Sequence, residues 1–450
     1  MNYSMSKSTR NLLIAFVVIG VLALLYGILE LDSQRVWANL LVNGIYFTFL
    51  ALCGTFFVAL QYVAEAGWSA GLKRIPEAMG QFLPIGAIVI VVTLGASALH
   101  FNHLYHWMDD FIVKEEVTVG ELKNYEADLE ARVQHQEAAA TDQENAEVSA
   151  QPVVYYADKY ATAPDDKSID NPYYDEEIHD KRPYLNDGFF FARTLIYLLV
   201  WILFTSYMRK KSLEDHIDPE KQRKWFIRMR NVGAGFIVFF AVTTSSSAWD
   251  WVMSIDAHWY STLFGWYNFA GLFVSGLTTI AIILSLLKLK GLMPHINENH
   301  LHDLGKFVFA FSVFWAYLWF SQFMLIWYGN IPEEVTYFQA RWEHYHFIWI
   351  FNIFINFVFP FLILMTRDSK RKFGTVLSVG IILIIGHWLD MFIMVMPGTV
   401  KANWGLGLLE IGMFLGFVGL FGLVTARSLS KVPLVPKTHP FLEESEHHHI

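Results

Sequence analysis

The chain has 450 residues, 54% of them hydrophobic and 17% charged, with a mean hydropathy of +0.34. That charged fraction falls well below the roughly 25% of soluble domains, which excludes an ordinary water-soluble globule. The single cysteine, Cys53, excludes a disulfide framework, a cysteine-ligated iron–sulphur cluster and a CxxCH haem attachment, and the net charge of −9 argues against nucleic acid as a partner.

The first apolar run, residues 11–29, follows Lys7 and Arg10 and continues into GILELD without a small-residue cleavage site. It reads as a retained helix rather than a leader. Further runs follow at about 36–64, 78–102, 189–208, 232–253, 260–287, 305–329, 345–366, 373–396 and 405–426. With the first they make ten candidate spans of a hydrocarbon core roughly 30 Å thick. The plan is three spans in residues 1–106, an acidic insert over 107–188, seven spans in 189–430 and a tail over 431–450.

Charge sets the orientation. With the N-terminus inside, the inner segments hold 22 of the Lys and Arg residues, against 3 (Arg35, Arg341 and Lys401) in the short outer loops. The positive-inside rule then places both termini in the cytoplasm and the insert outside. The insert carries 21 of the 42 acidic residues and only 7 Lys/Arg. Leu122, Tyr125, Leu129 and Val133 recur at helical spacing, which predicts a short amphipathic helix. Its tyrosines (Tyr155, Tyr156, Tyr160, Tyr173, Tyr174, Tyr184) admit two readings: a disordered outer loop, or an arm that lays them against partner subunits.

EAMGQF (Glu77–Phe82) and HDLGKF (His302–Phe307) both open a span on its inner side, 225 residues apart. The echo suggests a parallel repeat. The expected fold is therefore an all-α polytopic membrane protein with ten transmembrane helices: two four-helix bundles, two flanking helices and an outer insert.

Polar groups inside spans are costly and mark candidate sites. Asn39 and Asn43 lie in the outer half of the second span, Arg193 opens the fourth and Asp250 ends the fifth. Ser321 and Gln322 lie in the outer half of the seventh, His387 and Asp390 in that of the ninth, and Glu410 near the outer end of the tenth. The polar interior thus opens on the insert side. His387 and Asp390, three residues apart, share a helix face, so the carboxylate is expected to orient the imidazole. Such a pair could accept a proton from a quinol hydroxyl or pass one along a relay; the competing reading is a hydrogen-bonded pair that fixes packing. His100, His103 and His106 drift round their helix and suit interfacial structure, proton exit or partner contact better than a metal. Haem b would need facing histidines, and only His387 lies well inside. Arg193 and Asp250 are either a buried ion pair or both snorkel outward, and Glu410 has no partner that can be named from sequence. The hydroxyl run Thr243–Ser247 serves packing or lines a wet path.

FWAYLWFSQFMLIWYGNIPEE (Phe314–Glu334), entered by HDLGKF, together with GHWLDMF (Gly386–Phe392) and SSAWDWVMSID (Ser246–Asp256), resembles the NrfD-like, polysulfide-reductase-type membrane subunits of bacterial alternative complex III, and among these the second such subunit. The resemblance covers nearly the whole membrane part and leaves the insert aside. It implies a place in a quinol:cytochrome c oxidoreductase of the bacterial inner membrane, which passes electrons to cytochrome c or to a terminal oxidase. The implied partners are iron–sulphur, multihaem cytochrome c and sister NrfD-like subunits, the sister holding the principal quinol pocket. For this subunit it implies proton conduction and scaffolding, with no covalently bound cofactor and with quinone or lipid as the small ligands to consider. His387, Asp390, Asp250 and Glu410 are the candidates for the proton path, with Ser321 and Gln322 lining it. A stand-alone secondary transporter, with its site at broken helices near the midplane, and a purely structural scaffold are the competing readings.

Overall fold

A computed structural model of the chain describes residues 3–140, 155–214 and 217–449. Among the described residues are 10 helices long and apolar enough to cross a membrane: Lys7–Glu30, Ser33–Val63, Arg74–Ala98, Asp187–Ser212, Pro219–Trp251, Leu263–Leu289, Glu298–Gly329, Pro332–Leu364, Phe373–Thr399 and Leu408–Ser430. The protein is an all-α polytopic membrane protein, and these are its first to tenth spans.

Local chemistry sets the helix starts. Ser6 accepts the amide hydrogen of Thr9 at 3.1 Å, Asp32 that of Gln34 at 3.2 Å, and Asp218 caps the fifth span just ahead of Pro219. The eighth span begins at Pro332, well before the expected 345. Asn330, in the left-handed region at φ 47° and ψ 41°, closes the seventh span, and Pro332 opens the next with Glu333 and Glu334 in its first turn. Arg341 is therefore a buried helical residue, and Arg35 is buried in the first turn of the second span. Two of the three cations assigned to outer loops belong to the interior.

Spans two to five close a ring, each packed on the next and the fifth on the second; spans six to nine do the same. The second span, buried along its whole apolar length, joins the bundles by packing on the sixth and ninth. EAMGQF and HDLGKF fall in the second helix of their respective bundles, so the echo marks a structural repeat. The first and tenth spans run antiparallel outside the bundles and lean on the second and third. Glycines bring them together: a Cβ on Gly20 would lie 2.5 Å from the Cα of Gly416.

The described part of the insert carries secondary structure of its own. Strands Glu116–Thr118 and Ser168–Asp170 pair antiparallel, with Val117 opposite Ile169, beside the expected helix at Val119–Ala140. Phe111 stacks on Tyr125 at 4.1 Å, and Tyr173 packs edge-on to Tyr125 and Tyr156. Tyr125, Tyr156 and Tyr173 thus pack on one another within the insert rather than against the membrane body. Contacts to the membrane body come from Asp175, 2.6 Å from His258, and from Lys181, which donates to the Ala257 carbonyl at 2.7 Å.

Candidate functional site: a buried carboxylate in the second bundle

The six candidate residues do not form one cluster. Glu410 lies at the flanking pair, where Arg35 Nε donates to it at 2.7 Å and Asn39 Nδ2 at 3.2 Å. Asp250 closes the first bundle. Arg193 grips it with Nε at 3.0 Å and a terminal nitrogen at 2.9 Å, and the Tyr197 hydroxyl adds a bond at 3.2 Å. Both carboxylates are fully buried and each has its cation, so the snorkelling alternative for Arg193 and Asp250 is not realised. Such closed pairs suit structure. The hydroxyls of Thr243–Ser247 all turn back onto carbonyls of their own helix, which assigns that run to packing.

Asp390 differs. It is 3% exposed, and its partners come from three other helices of the second bundle. Oδ1 accepts from the Tyr267 hydroxyl of the sixth span and from Asn352 Nδ2 of the eighth at 2.7 Å. Oδ2 accepts from Trp315 Nε1 of the seventh span at 2.9 Å. All three donors are neutral. Asn356 Nδ2 in turn donates to Asn352 Oδ1 at 2.7 Å, which fixes that amide's orientation.

The eighth span departs from α-helical geometry just beyond Asn352. Residues Phe354–Val358 form a π-helical turn directly ahead of Pro360, which has no amide hydrogen to give and crowds the carbonyl four residues back. A Cβ on Gly386 would meet Asn356 Oδ1 at 2.3 Å, so glycine there makes room for the amide.

His387 does not pair with Asp390 as their spacing suggests. Its ring stands edge-on to Trp315 at 5.5 Å, and neither ring nitrogen has a hydrogen-bond partner among the described residues. The three donors from other helices have taken the carboxylate instead. Both residues line a cavity of about 20 Å³, walled by Tyr46, Asn268, Gly271 and Ser275. That volume holds about one water and no quinone ring.

Gln322 is buried two turns beyond Trp315 on the same face of the seventh span, with Nε2 unpartnered among the described residues; Ser321 beside it is half-buried. Neither touches Asp390. His100 and His103 stack at 6.4 Å, and no group of three or more His, Cys, Asp or Glu among the described residues is placed to hold a metal ion.

No protein-family model matches the chain, and no curated protein matches it.

Four residues of the site were not singled out from sequence: Tyr267, Trp315, Asn352 and Asn356. The two asparagines did carry a signal. They stand four apart in the otherwise apolar run FNIFINFVFP, on one helix face. Tyr267 and Trp315 had none, because an aromatic in a span looks the same whether it faces lipid or a carboxylate.

Proposed function

We propose that this chain is a proton-conducting membrane subunit of a quinol-oxidising respiratory complex, with Asp390 as its central proton-exchanging group. The observation that carries the reading is a buried carboxylate held only by neutral donors, beside a histidine whose ring nitrogens have no partner. A carboxylate locked in a fixed two-bond pair with an arginine, as Asp250 is, stays charged. One that meets only hydroxyl, indole and amide donors can exist in both forms, because the donors support the anion and the lack of a cation favours the acid. Oδ2 accepts only from Trp315, so a proton exchanged there can pass to a His387 nitrogen through one bridging water in the cavity that both residues line.

The wider reading follows the resemblance of the seventh, ninth and fifth spans to NrfD-like subunits of alternative complex III. The chain would sit in a bacterial inner membrane with both termini cytoplasmic and the insert periplasmic. Its partners would be the iron–sulphur, multihaem cytochrome c and sister NrfD-like subunits, with cytochrome c or a terminal oxidase as electron acceptor. Electrons would pass through those partners and protons through the second bundle.

The test is Asp390→Asn in the assembled complex. Quinol-driven cytochrome c reduction and proton release in sealed vesicles are measured together. Persistent electron flow with fewer protons released per electron supports the reading. Unchanged proton release in an intact complex makes the Asp390 cluster structural and the subunit a scaffold.

A further inference from the structure

The third helix of each bundle carries a buried arginine near its insert-side end, built in the same way. The Arg193 guanidinium lies 3.9 Å from the ring centre of Tyr184 and donates to the Tyr184 carbonyl at 3.0 Å. The Arg341 guanidinium lies 3.2 Å from the ring centre of Tyr337 and donates to the Tyr337 carbonyl at 2.8 Å. The next step differs. Arg193 closes a two-bond pair with Asp250 on the fourth helix of its bundle. Arg341 reaches the fourth helix of its own bundle only at the Met394 carbonyl, 3.1 Å away, and touches Asp256 loosely at 3.5 Å. Its Nε is buried without a partner among the described residues. The acid of that fourth helix, Asp390, stands four residues and so about 6 Å deeper along the helix.

We infer that Arg341 is an electrostatic gate that pairs with Asp390 when this carboxylate is charged and falls back to Asp256 when it is protonated. The inference rests on proton exchange at Asp390. Tyr46, Tyr267, Trp315 and Asn352 face that carboxylate from four surrounding spans and His387 from its own, and none is a fixed cation. A charged Asp390 therefore attracts the Arg341 guanidinium, which already touches the same helix one turn away at Met394, and an arginine stem can cover that turn. Once drawn in, the positive charge stands between Asp390 and the insert-side surface and repels protons arriving from there. Reprotonation must then come from the face that carries the termini. When Asp390 regains its proton, Arg341 returns to Asp256 and the outer route reopens for release. No bond other than O–H at Oδ2 is made or broken, and the proton taken up on one side is the one released on the other.

Proton flux is measured in vesicles carrying the full complex, with the gradient imposed in each direction in turn. Wild type is expected to pass protons toward the insert side several-fold faster than the reverse; Arg341→Gln should bring the two rates together, and Arg341→Lys should restore much of the difference. Asp256→Asn, which removes the resting partner, should slow the outward rate in particular, and it tests the gate even where Arg341→Gln does not assemble. Equal rates in wild type, or an Arg341→Gln that lowers both rates alike, overturn the gate and leave proton conduction standing. An Asp390→Asn complex that conducts like wild type overturns the conduction reading itself, and the gate falls with it.

Discussion

Of the two buried aspartates on the fourth helices of their bundles only Asp250 is paired with a cation, and that difference predicts how each responds to losing its charge. Asp250→Asn leaves Arg193 as an uncompensated buried cation, a loss of about 3–5 kcal/mol. Asp390→Asn strands no cation. Its new amide can still accept from Tyr267 or Asn352 but turns donor against donor at Trp315, a loss of about 1–3 kcal/mol. Thermal unfolding of the purified complex should therefore show the larger drop for Asp250→Asn, and the reverse order would contradict this account of the two sites. The sequence located both aspartates by depth alone, yet it misjudged Asp390's partner. Spacing along one helix says which side chains could meet, while donors from other helices decide which do. Glu410 shows the same limit: its partner Arg35 is 375 positions away, and in the sequence that arginine looked like a loop charge.

At the scale of elements, the ten spans were legible because apolar runs of that length have few other uses, and the bundle repeat was legible from a six-residue echo. The start of the eighth span was missed although its signals were present. Asn330 followed by Ile331 and Pro332 is a helix end joined to a helix start, but the charges of Glu333, Glu334 and Arg341 masked it as a loop. The π-helical turn is harder to foresee, since Pro360 alone would equally predict a kink. Its role can be tested through the glycine opposite. Gly386→Ala drives a methyl into Asn356 Oδ1 and should disturb the Asn356–Asn352–Asp390 chain, at a stability loss of about 1–3 kcal/mol with a fall in proton flux. Gly235→Ala is the control, because a Cβ there meets nothing within 4 Å. Its flux should match wild type, and its stability should hold or rise by about 0.5–1 kcal/mol. Equal behaviour of the two variants would remove the π-helical turn from the proton path.

Across the whole molecule, the tail ties the two bundles together on the face that carries the termini. This docking was not legible beforehand, because a stretch rich in Pro, His and Glu has too little apolar periodicity to announce a docking partner. The Thr438 carbonyl accepts from Gln222 in the first bundle; Ser445 Oγ donates to the Trp68 carbonyl; and His448 lies 2.7 Å from Asp303 in the second bundle. Between these anchors His439 is buried in a ring of Tyr62, Trp225, Phe226 and Phe441, all within 6.1 Å between ring centres. That burial, with Lys73 and Arg74 nearby, pushes the imidazole down from 6.5 to about 2. In the released tail the imidazole returns to its ordinary value. Between about pH 6.5 and 2 the released tail binds a proton that the docked tail cannot, so docking is at full strength above pH 6.5 and weakens as the pH falls. The limiting slope is about 1.4 kcal/mol per pH unit. Amide exchange over residues 432–446 should accordingly lose up to about tenfold of its protection between pH 6 and pH 5, beyond the intrinsic pH effect on exchange. His439→Phe keeps the aromatic packing and removes the titration, so its protection should stay level across the same step. If wild type and His439→Phe lose protection equally, some other group releases the tail, and the aromatic ring around His439 is packing alone.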